Sequence, residues 1–527
     1  MSQVVTRSFA AIRTALLQQQ EVALIDVREE APFAEEHPLF AANIPLSKLE
    51  LEIYARVPRR DTAITVYDDG EGLARVAAER LLQLGYSDVA LLEGQLAGWR
   101  DAGGELFRDV NVPSKAFGEL VESRRHTPSL AAEEVQALLD AKADVVVLDA
   151  RRFDEYQTMS IPGGISVPGA ELVLRARELA PNPATRIIVN CAGRTRSIIG
   201  TQSLVNAGLP NPVAALRNGT IGWTLAGQQL EHGQSRRFGE VSPGNHEQAA
   251  QAARAVADKA GVGRATLEHL ASWQAQAART TYLFDVRTPE EYETGHLPGS
   301  RSTPGGQLVQ ETDHFASVRG ARLVLVDDDG VRANMSASWL AQLGWDVHVL
   351  DDLPQSAFSE RGAWQAPLPA LPQPEAISPQ TLQDWLGQGD TLVLDFTSSA
   401  NHVKGHIAGA WWAIRAQLPQ ALENLPVAER YVLTCGSSLL ARFVVEELRV
   451  LTGKPVYLLA GGTAAWIAAG LPTEAGERHL AVPRSDRYRR PYEGTDNPRE
   501  AMQAYLDWEF GLVEQLDRDG THGFRVI

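Results

Sequence analysis

Short apolar runs recur along the chain, each breaking into polar residues at its end: Leu24-Ile25-Asp26-Val27-Arg28, Leu148-Asp149-Ala150-Arg151, Phe284-Asp285-Val286-Arg287 and, more weakly, Leu394-Asp395-Phe396-Thr397. Each reads as the end of a buried strand. A second apolar strand follows every time, as Ile64 to Asp68, Ile187 to Cys191, Leu323 to Asp327 and Tyr431 to Cys435. The two landmarks lie 42 residues apart three times (26 to 68, 149 to 191, 285 to 327) and 40 apart in the last copy (395 to 435). Chance does not hold such a register, and a repeat of this length indicates four domains rather than a solenoid. Beyond the second strand, a helical pattern ends in glycine, as in Ser203 to Gly208 and Trp339 to Gly344. A further strand follows, as in Val347 to Leu350 and Val456 to Leu459. The unit closes at Gly94 to Trp99, Gly219 to Trp223 and Gly461 to Trp466, with Phe358 replacing the tryptophan in the third copy. Strands alternating with helices at this spacing predict an α/β fold with parallel sheets covered on both faces.

Residues near 111 to 127, the Gly/Asn/Gln/Ala stretch near 239 to 260 and the proline-rich run Pro367 to Pro374 read as linkers. The expected division is 1–112, 124–238, 258–366 and 374–476, followed by an extension over 477–527. That extension carries Arg484, Arg487, Arg489 and Arg490. Asn497 as N-cap, Pro498 at the first helical position and Glu500 at the third then open a helix. Met502, Leu506, Val513 and Leu516 make that helix amphipathic through about residue 517, so it is expected to dock on the array as a helical tail.

At 527 residues the chain suits three to four domains, and 44% hydrophobic with 22% charged residues is ordinary for a globular protein. A net charge of -17 argues against nucleic acid or an anionic membrane as a general partner, while leaving room for a local basic cleft that takes a small anion. The start, Met1 to Ser8, has no apolar core of signal length, and no run of about 18 apolar residues follows, so a cytoplasmic protein with no membrane span is expected. Only Cys191 and Cys435 are available as thiols; they fall in different units and lack Cys or His partners at ligand spacing. Neither a disulfide framework nor a structural zinc site is therefore expected, and no cofactor is implied.

Cys191 opens the run Cys191-Ala192-Gly193-Arg194-Thr195-Arg196-Ser197 at a strand's carboxyl end. Backbone N–H groups of a strand-to-helix loop converge on such a side chain, and with Arg194 and Arg196 nearby they should favour thiolate, the nucleophilic form.

Further motifs carry a family resemblance: Glu291-Tyr292-Glu293-Thr294-Gly295-His296-Leu297-Pro298-Gly299-Ser300, Lys404-Gly405-His406-Ile407-Ala408-Gly409-Ala410, and Asp154-Glu155-Tyr156 followed by Ile161-Pro162-Gly163-Gly164. With the strand, cysteine loop and helix, they resemble the rhodanese (sulfurtransferase) family over about 90% of the chain. The resemblance implies four tandem doubly wound parallel-sheet domains. It makes Cys191 the catalytic residue and Ala192, Gly193, Arg194, Thr195 and Arg196 the substrate-binding loop, with Ser197 starting the helix. It also implies a thiosulfate-like anionic donor, a persulfide on Cys191 and cyanide or a thiol as acceptor.

Asp68 and Asp327 stand where the cysteine would be, and a carboxylate cannot carry sulfane sulfur, so the first and third units are expected to be silent. The loop Cys435-Gly436-Ser437-Ser438-Leu439-Leu440-Ala441-Arg442 loosely resembles that of mercaptopyruvate sulfurtransferases but departs from it at the leucines, and reads as degenerate. His296 and His406 are expected to make structural hydrogen bonds. Arg28, Arg151 and Arg287 are expected to pair with glutamates one helical turn on, such as Glu155 and Glu291, and Trp99, Trp223 and Trp466 to pack in cores. A related phosphatase or arsenate reductase needs an arginine six positions after its cysteine. Here Arg196 is the fifth residue after Cys191 and Arg442 the seventh after Cys435, so neither loop fits. A rival of another class is a non-enzymatic scaffold or persulfide relay.

Overall fold

The structure, a computed structural model, describes residues 5–527. The extreme start, Met1 to Val4, on which the reading of the N-terminus partly rests, lies outside the described residues. The four repeats fold as four α/β units, each around a five-stranded parallel sheet. In the second unit the strands are Ser129–Leu130, Val145–Asp149, Ile165–Ser166, Arg186–Asn190 and Val213–Leu216. All four sheets share one spatial order: first, fifth, fourth, second, third. The fourth unit adds a short antiparallel pairing of His406–Ile407 with Thr473–Glu474. Continuous apolar strands suit sheets covered on both faces, and Ile187, Ile188 and Val189 are fully buried. Asp149 and Asn190 face one another at the ends of adjacent strands, so Cys191 leaves the sheet at its carboxyl edge, where such folds place ligands.

The Asp-x-Arg signature works differently from the expectation. Arg28, Arg151 and Arg287 each pair with the aspartate two residues earlier, at 2.7 Å to Asp26, Asp149 and Asp285. Each also donates to a carbonyl eight residues on, of Glu36, Met159 and Gly295. Residues i and i+2 of extended chain lie on one side, which brings aspartate and arginine together before any helical spacing can. In the fourth unit His402 replaces the arginine, its Nδ1 2.8 Å from Asp395 Oδ2. His296 and His406 hydrogen-bond through Nδ1 to the carbonyls of Tyr292 and His402, and stack on those side chains. Trp99, Trp223 and Trp466 are buried, each indole N–H donating to a carbonyl six residues on.

Two of the three linkers are helices. Val112–Arg125 and Pro243–Ala260 form long helices, while Pro367 to Pro374 has no regular structure. The first is buried along most of its length, including Lys115, Phe117 and Glu119. One continuous core joins Ile53, Val57 and Tyr86 of the first unit to Tyr282, Val318 and Trp339 of the third, with Phe117 of this helix inserted.

The tail helix starts at Arg499 with Pro498 as its cap residue, not Asn497, whose side-chain amide instead donates to the Glu493 carbonyl. It also breaks at Gly511 into Arg499–Phe510 and Leu512–Asp519. The break redirects the chain: Met502, Tyr505 and Leu506 pack on Ile221 of the second unit, whereas Leu512 and Leu516 pack on Phe107, Val112 and Leu120.

Candidate active site

Cys191 follows strand Arg186–Asn190 and precedes helix Thr195–Asn206, which begins two residues before the expected Ser197. The side chain is 1% exposed. Its Sγ lies 3.3 Å from Ser197 Oγ, which gives its own proton to the Arg194 carbonyl at 2.8 Å and so accepts from the thiol. The backbone N–H of Ser197, six residues after the cysteine, also points at the sulfur.

The two units with aspartate in place of cysteine show what this loop is built to hold. In the first, Ala74 N–H donates to Asp68 Oδ2 at 2.9 Å and Gly70 N–H to Oδ1 at 2.9 Å. In the third, Ala333 and Gly330 do the same for Asp327, at 2.7 and 3.0 Å. Ala74 and Ala333 sit six residues beyond their aspartates, the register of Ser197 to Cys191. In the fourth unit Ala441, again six residues on, points its N–H at Cys435 Sγ together with Ser438 and Leu440. The loop is an anion cradle, filled by its own carboxylate in two units and by sulfur in two. Gly219 closes it from behind at φ +55°: a Cβ there would fall 2.2 Å from the Cys191 carbonyl, which accepts from Thr220 N–H at 2.9 Å.

Both loop arginines are engaged. Arg194 forks onto Glu119 of the linker helix at 2.7 and 2.9 Å, contacts Glu122, donates to Asn218 and lies over the Phe510 ring at 4.4 Å. Arg196 forks onto Glu155 at 2.7 and 2.9 Å. The equivalent pair recurs in the third unit, which carries Asp327 in place of the cysteine, Arg332 to Glu291 at 2.6 and 3.1 Å, so this fork belongs to the frame as well as to the site. Burial favours the neutral acid at Glu155, but Arg196 overrides it and holds that carboxyl at about 2. Burial pushes the Cys191 thiol up, opposed by Arg196 and Ser197. Burial thus works against the thiolate form in this loop, while Arg196 and Ser197 work for it, and both arginines are already matched by carboxylates.

The sequence did not single out the groups that roof this loop. Tyr505 and Glu509, one turn apart on the tail helix, rest on Gly193; a Cβ there would lie 3.1 Å from Tyr505 Cε1 and 3.4 Å from Glu509 Oε2. Tyr505 Oη donates to Glu509 Oε1 at 2.9 Å. Lys115, paired with Asp109 at 2.6 Å, stands 5.2 to 5.7 Å from the ring centres of Tyr492, Tyr505 and Trp508. The available signal was the i, i+3, i+4 spacing of Tyr505, Trp508 and Glu509. Three of the four tail arginines stay local, Arg484 pairing with Glu477, Arg487 with Glu493 and Arg489 with Asp496, while Arg490 reaches Glu30 of the first unit at 3.5 Å. A cavity of about 250 Å³ between the second and third units reaches Arg196, with Arg152, Arg237 and Gln310 in its walls. Around Cys435, Gly436 and Ser437 are exposed, and Arg442 donates to the Pro372 carbonyl.

Among the described residues no helix is long and apolar enough to cross a membrane. The sequence model described as "Rhodanese-like domain" matches residues 12–102, 131–226, 266–352 and 378–469. A crystal structure of a thiosulfate sulfurtransferase from Pseudomonas aeruginosa is 78% identical, covers 99% of this chain and 100% of its own, and superimposes with a TM-score of 0.99. An uncharacterized protein of Synechocystis is 33% identical over 99 residues, 19% of this chain and 54% of its own length. A putative sulfur carrier protein of Bacillus subtilis is 28% identical over 123 residues, 23% of this chain and 64% of its own. This chain thus spans only about half to two thirds of those two relatives. Four matches covering well over half of the sequence, one on each parallel-sheet unit, place the chain in the rhodanese family.

Proposed function

We propose that the chain is a sulfurtransferase of the thiosulfate type, with Cys191 as its sulfur-accepting residue and Ala192 to Arg196 as the loop that receives the donor. The observation that carries this reading is the anion cradle: of four equivalent loops, the one at Cys191 pairs a sulfur with two basic neighbours and a roof. Likeness to the thiosulfate sulfurtransferase of Pseudomonas aeruginosa along the whole chain supports the donor class. The thiol first loses its proton to water. The thiolate attacks the outer sulfur of thiosulfate; a new S–S bond forms, the donor's own S–S bond breaks, and sulfite leaves with the electron pair. Loop N–H groups, Ser197 among them, hold the persulfide anion. Cyanide or a thiolate then takes the outer sulfur and returns Cys191 to thiolate. Arg196 lowers the energy of both anionic forms, and Arg194 positions the loop against the linker helix.

A second reading, a persulfide relay or binding scaffold, draws on the two aspartate-filled units and on the likeness to the putative sulfur carrier. Steady-state turnover with thiosulfate and with 3-mercaptopyruvate decides between them. Thiosulfate is expected to be the better donor, Cys191→Ala to abolish turnover, and Cys435→Ala to leave it within about twofold of the parent. Mass spectrometry should find one added sulfur on the Cys191 peptide. Abolition by Cys435→Ala alone would overturn the site assignment, and no turnover with any sulfane donor would favour the relay.

A further inference from the structure

The roof over the Cys191 loop contains a carboxyl group with one oxygen uncommitted. Glu509 is fully buried; its Oε1 accepts from Tyr505 Oη, while Oε2 has no hydrogen-bond partner among the described residues and faces the bare Cα of Gly193, two residues from the cysteine. A Cβ at position 193 would already touch this carboxyl oxygen at 3.4 Å, so the carboxyl is seated directly against the loop.

The charged groups packed around Glu509 come from three elements. Lys115 and Glu119 belong to the linker helix, Cys191 and Arg194 to the loop, and Tyr505 to its own helix. None of the nearby cations is spare: Lys115 is held by Asp109, Arg194 by Glu119 and Glu122, and Arg196 by Glu155. A buried carboxylate with no cation of its own is costly, whereas the neutral acid is not and has one proton to donate. Burial, then Glu119, push the Glu509 carboxyl up to about 8, with Lys115, Tyr505 and Arg194 opposing.

We propose that Glu509 is a protonation gate on the Cys191 site: as the neutral acid it turns its Oε2–H towards the loop and holds an anionic sulfur donor there, and as carboxylate it repels that donor. The inference rests on Cys191 being the sulfur-accepting residue. No covalent bond between heavy atoms changes in this step; the carboxyl releases its proton to solvent as pH rises. Glu509 acts as a donor-binding residue, supplied by a tail that lies outside all four rhodanese matches.

Alkylation of Cys191 by neutral iodoacetamide and by anionic iodoacetate, read on the Cys191 peptide by mass spectrometry, tests the gate on the full-length protein. Both reagents need the thiolate, so their rate ratio cancels the ionisation of the cysteine and reports the charge around it. From about pH 6.5 to about pH 9.5 the iodoacetate to iodoacetamide ratio should fall about tenfold in the wild type. In Glu509→Gln it should change by less than about twofold. A constant ratio in the wild type overturns the gate whether or not the variant folds, and so does an undiminished fall in Glu509→Gln. The kcat/KM for thiosulfate should lose its alkaline decline in the same variant; a decline that persists counts against the gate. Survival of turnover in Cys191→Ala would instead sink the sulfur-accepting assignment, a failure distinguishable from that of the gate.

Discussion

One backbone cradle holds aspartate in two units and cysteine in two, and the difference between them is chemical rather than architectural. The amide six residues on addresses whichever acceptor stands at the first loop position, so the geometry that would steady a persulfide exists even where no sulfur is present. Single residues then set the protonation state. Glu509 is a buried acid whose folded value of about 8 exceeds its ordinary 4.5. The native state therefore keeps a proton that the unfolded chain releases, and the sign is opposite to that of an ion-paired carboxylate. The contribution of Glu509 to native stability falls as pH rises from about 4.5 to about 8 and then levels. Glu509→Gln cannot ionise, so its advantage over the wild type should grow across that window by on the order of a few kcal/mol. Denaturant midpoints of both proteins at pH 5 and pH 8.5 check this, and an unchanged difference would remove the buried-acid account. Which residues opened the four loops was legible in the sequence. How Arg194 and Arg196 are matched was not, because the carboxylates that pair with them come from other elements.

At the scale of elements, strands and their helices follow directly from local pattern, whereas the connections do not. The stretch near 239 to 260 is rich in alanine, a strong helix former, and its Asn and Gln content disguised a helix that runs Pro243–Ala260. The helix Val112–Arg125 supplies Glu119 to clamp the cysteine loop and Gly118 to seat Thr195, whose methyl would lie 3.0 Å from any Cβ at that position. The tail helix packs closely on the loop at residue 193, where a Cβ would press on Tyr505 at 3.1 Å. Gly193→Ala should lift Tyr505 and Glu509 off the loop and raise the iodoacetamide reactivity of Cys191 severalfold while the fold persists. Peptide-level alkylation kinetics with circular dichroism test this, and an unchanged rate would mean that the tail does not shield the thiol.

Over the whole molecule, neighbours in the chain are not always neighbours in space. The first and third units share a core, and Tyr282 Oη donates to the Arg56 carbonyl between them at 2.5 Å. The third meets the second through Arg332 and Glu171 at 2.9 Å. The fourth leans on the first through Arg415, which forks onto Glu50 at 2.8 and 3.0 Å and also pairs with Glu447. Arg415 and Glu50 are both buried. Arg415→Ala should therefore leave Glu50 with Arg80 alone, 3.3 Å away, and cost on the order of 2 to 3 kcal/mol, whereas Glu50→Gln with Arg415→Met should cost clearly less. Chemical unfolding of the two variants checks the order, and equal losses would show that the contact works by packing alone.

The sequence by itself determined the number of units, the strands of each sheet, the four loop positions and the identity of the residue at each, because these are encoded within one repeat and read by period and spacing. Tertiary structure alone decided how the arginines are spent, that a tail carboxyl roofs Cys191, and that the fourth unit leans on the first. Those contacts join groups far apart in the chain, 365 residues between Glu50 and Arg415 and 460 between Glu30 and Arg490, and no periodicity in the chain records such a meeting. Only the packing of four cores and two long helices brings them together.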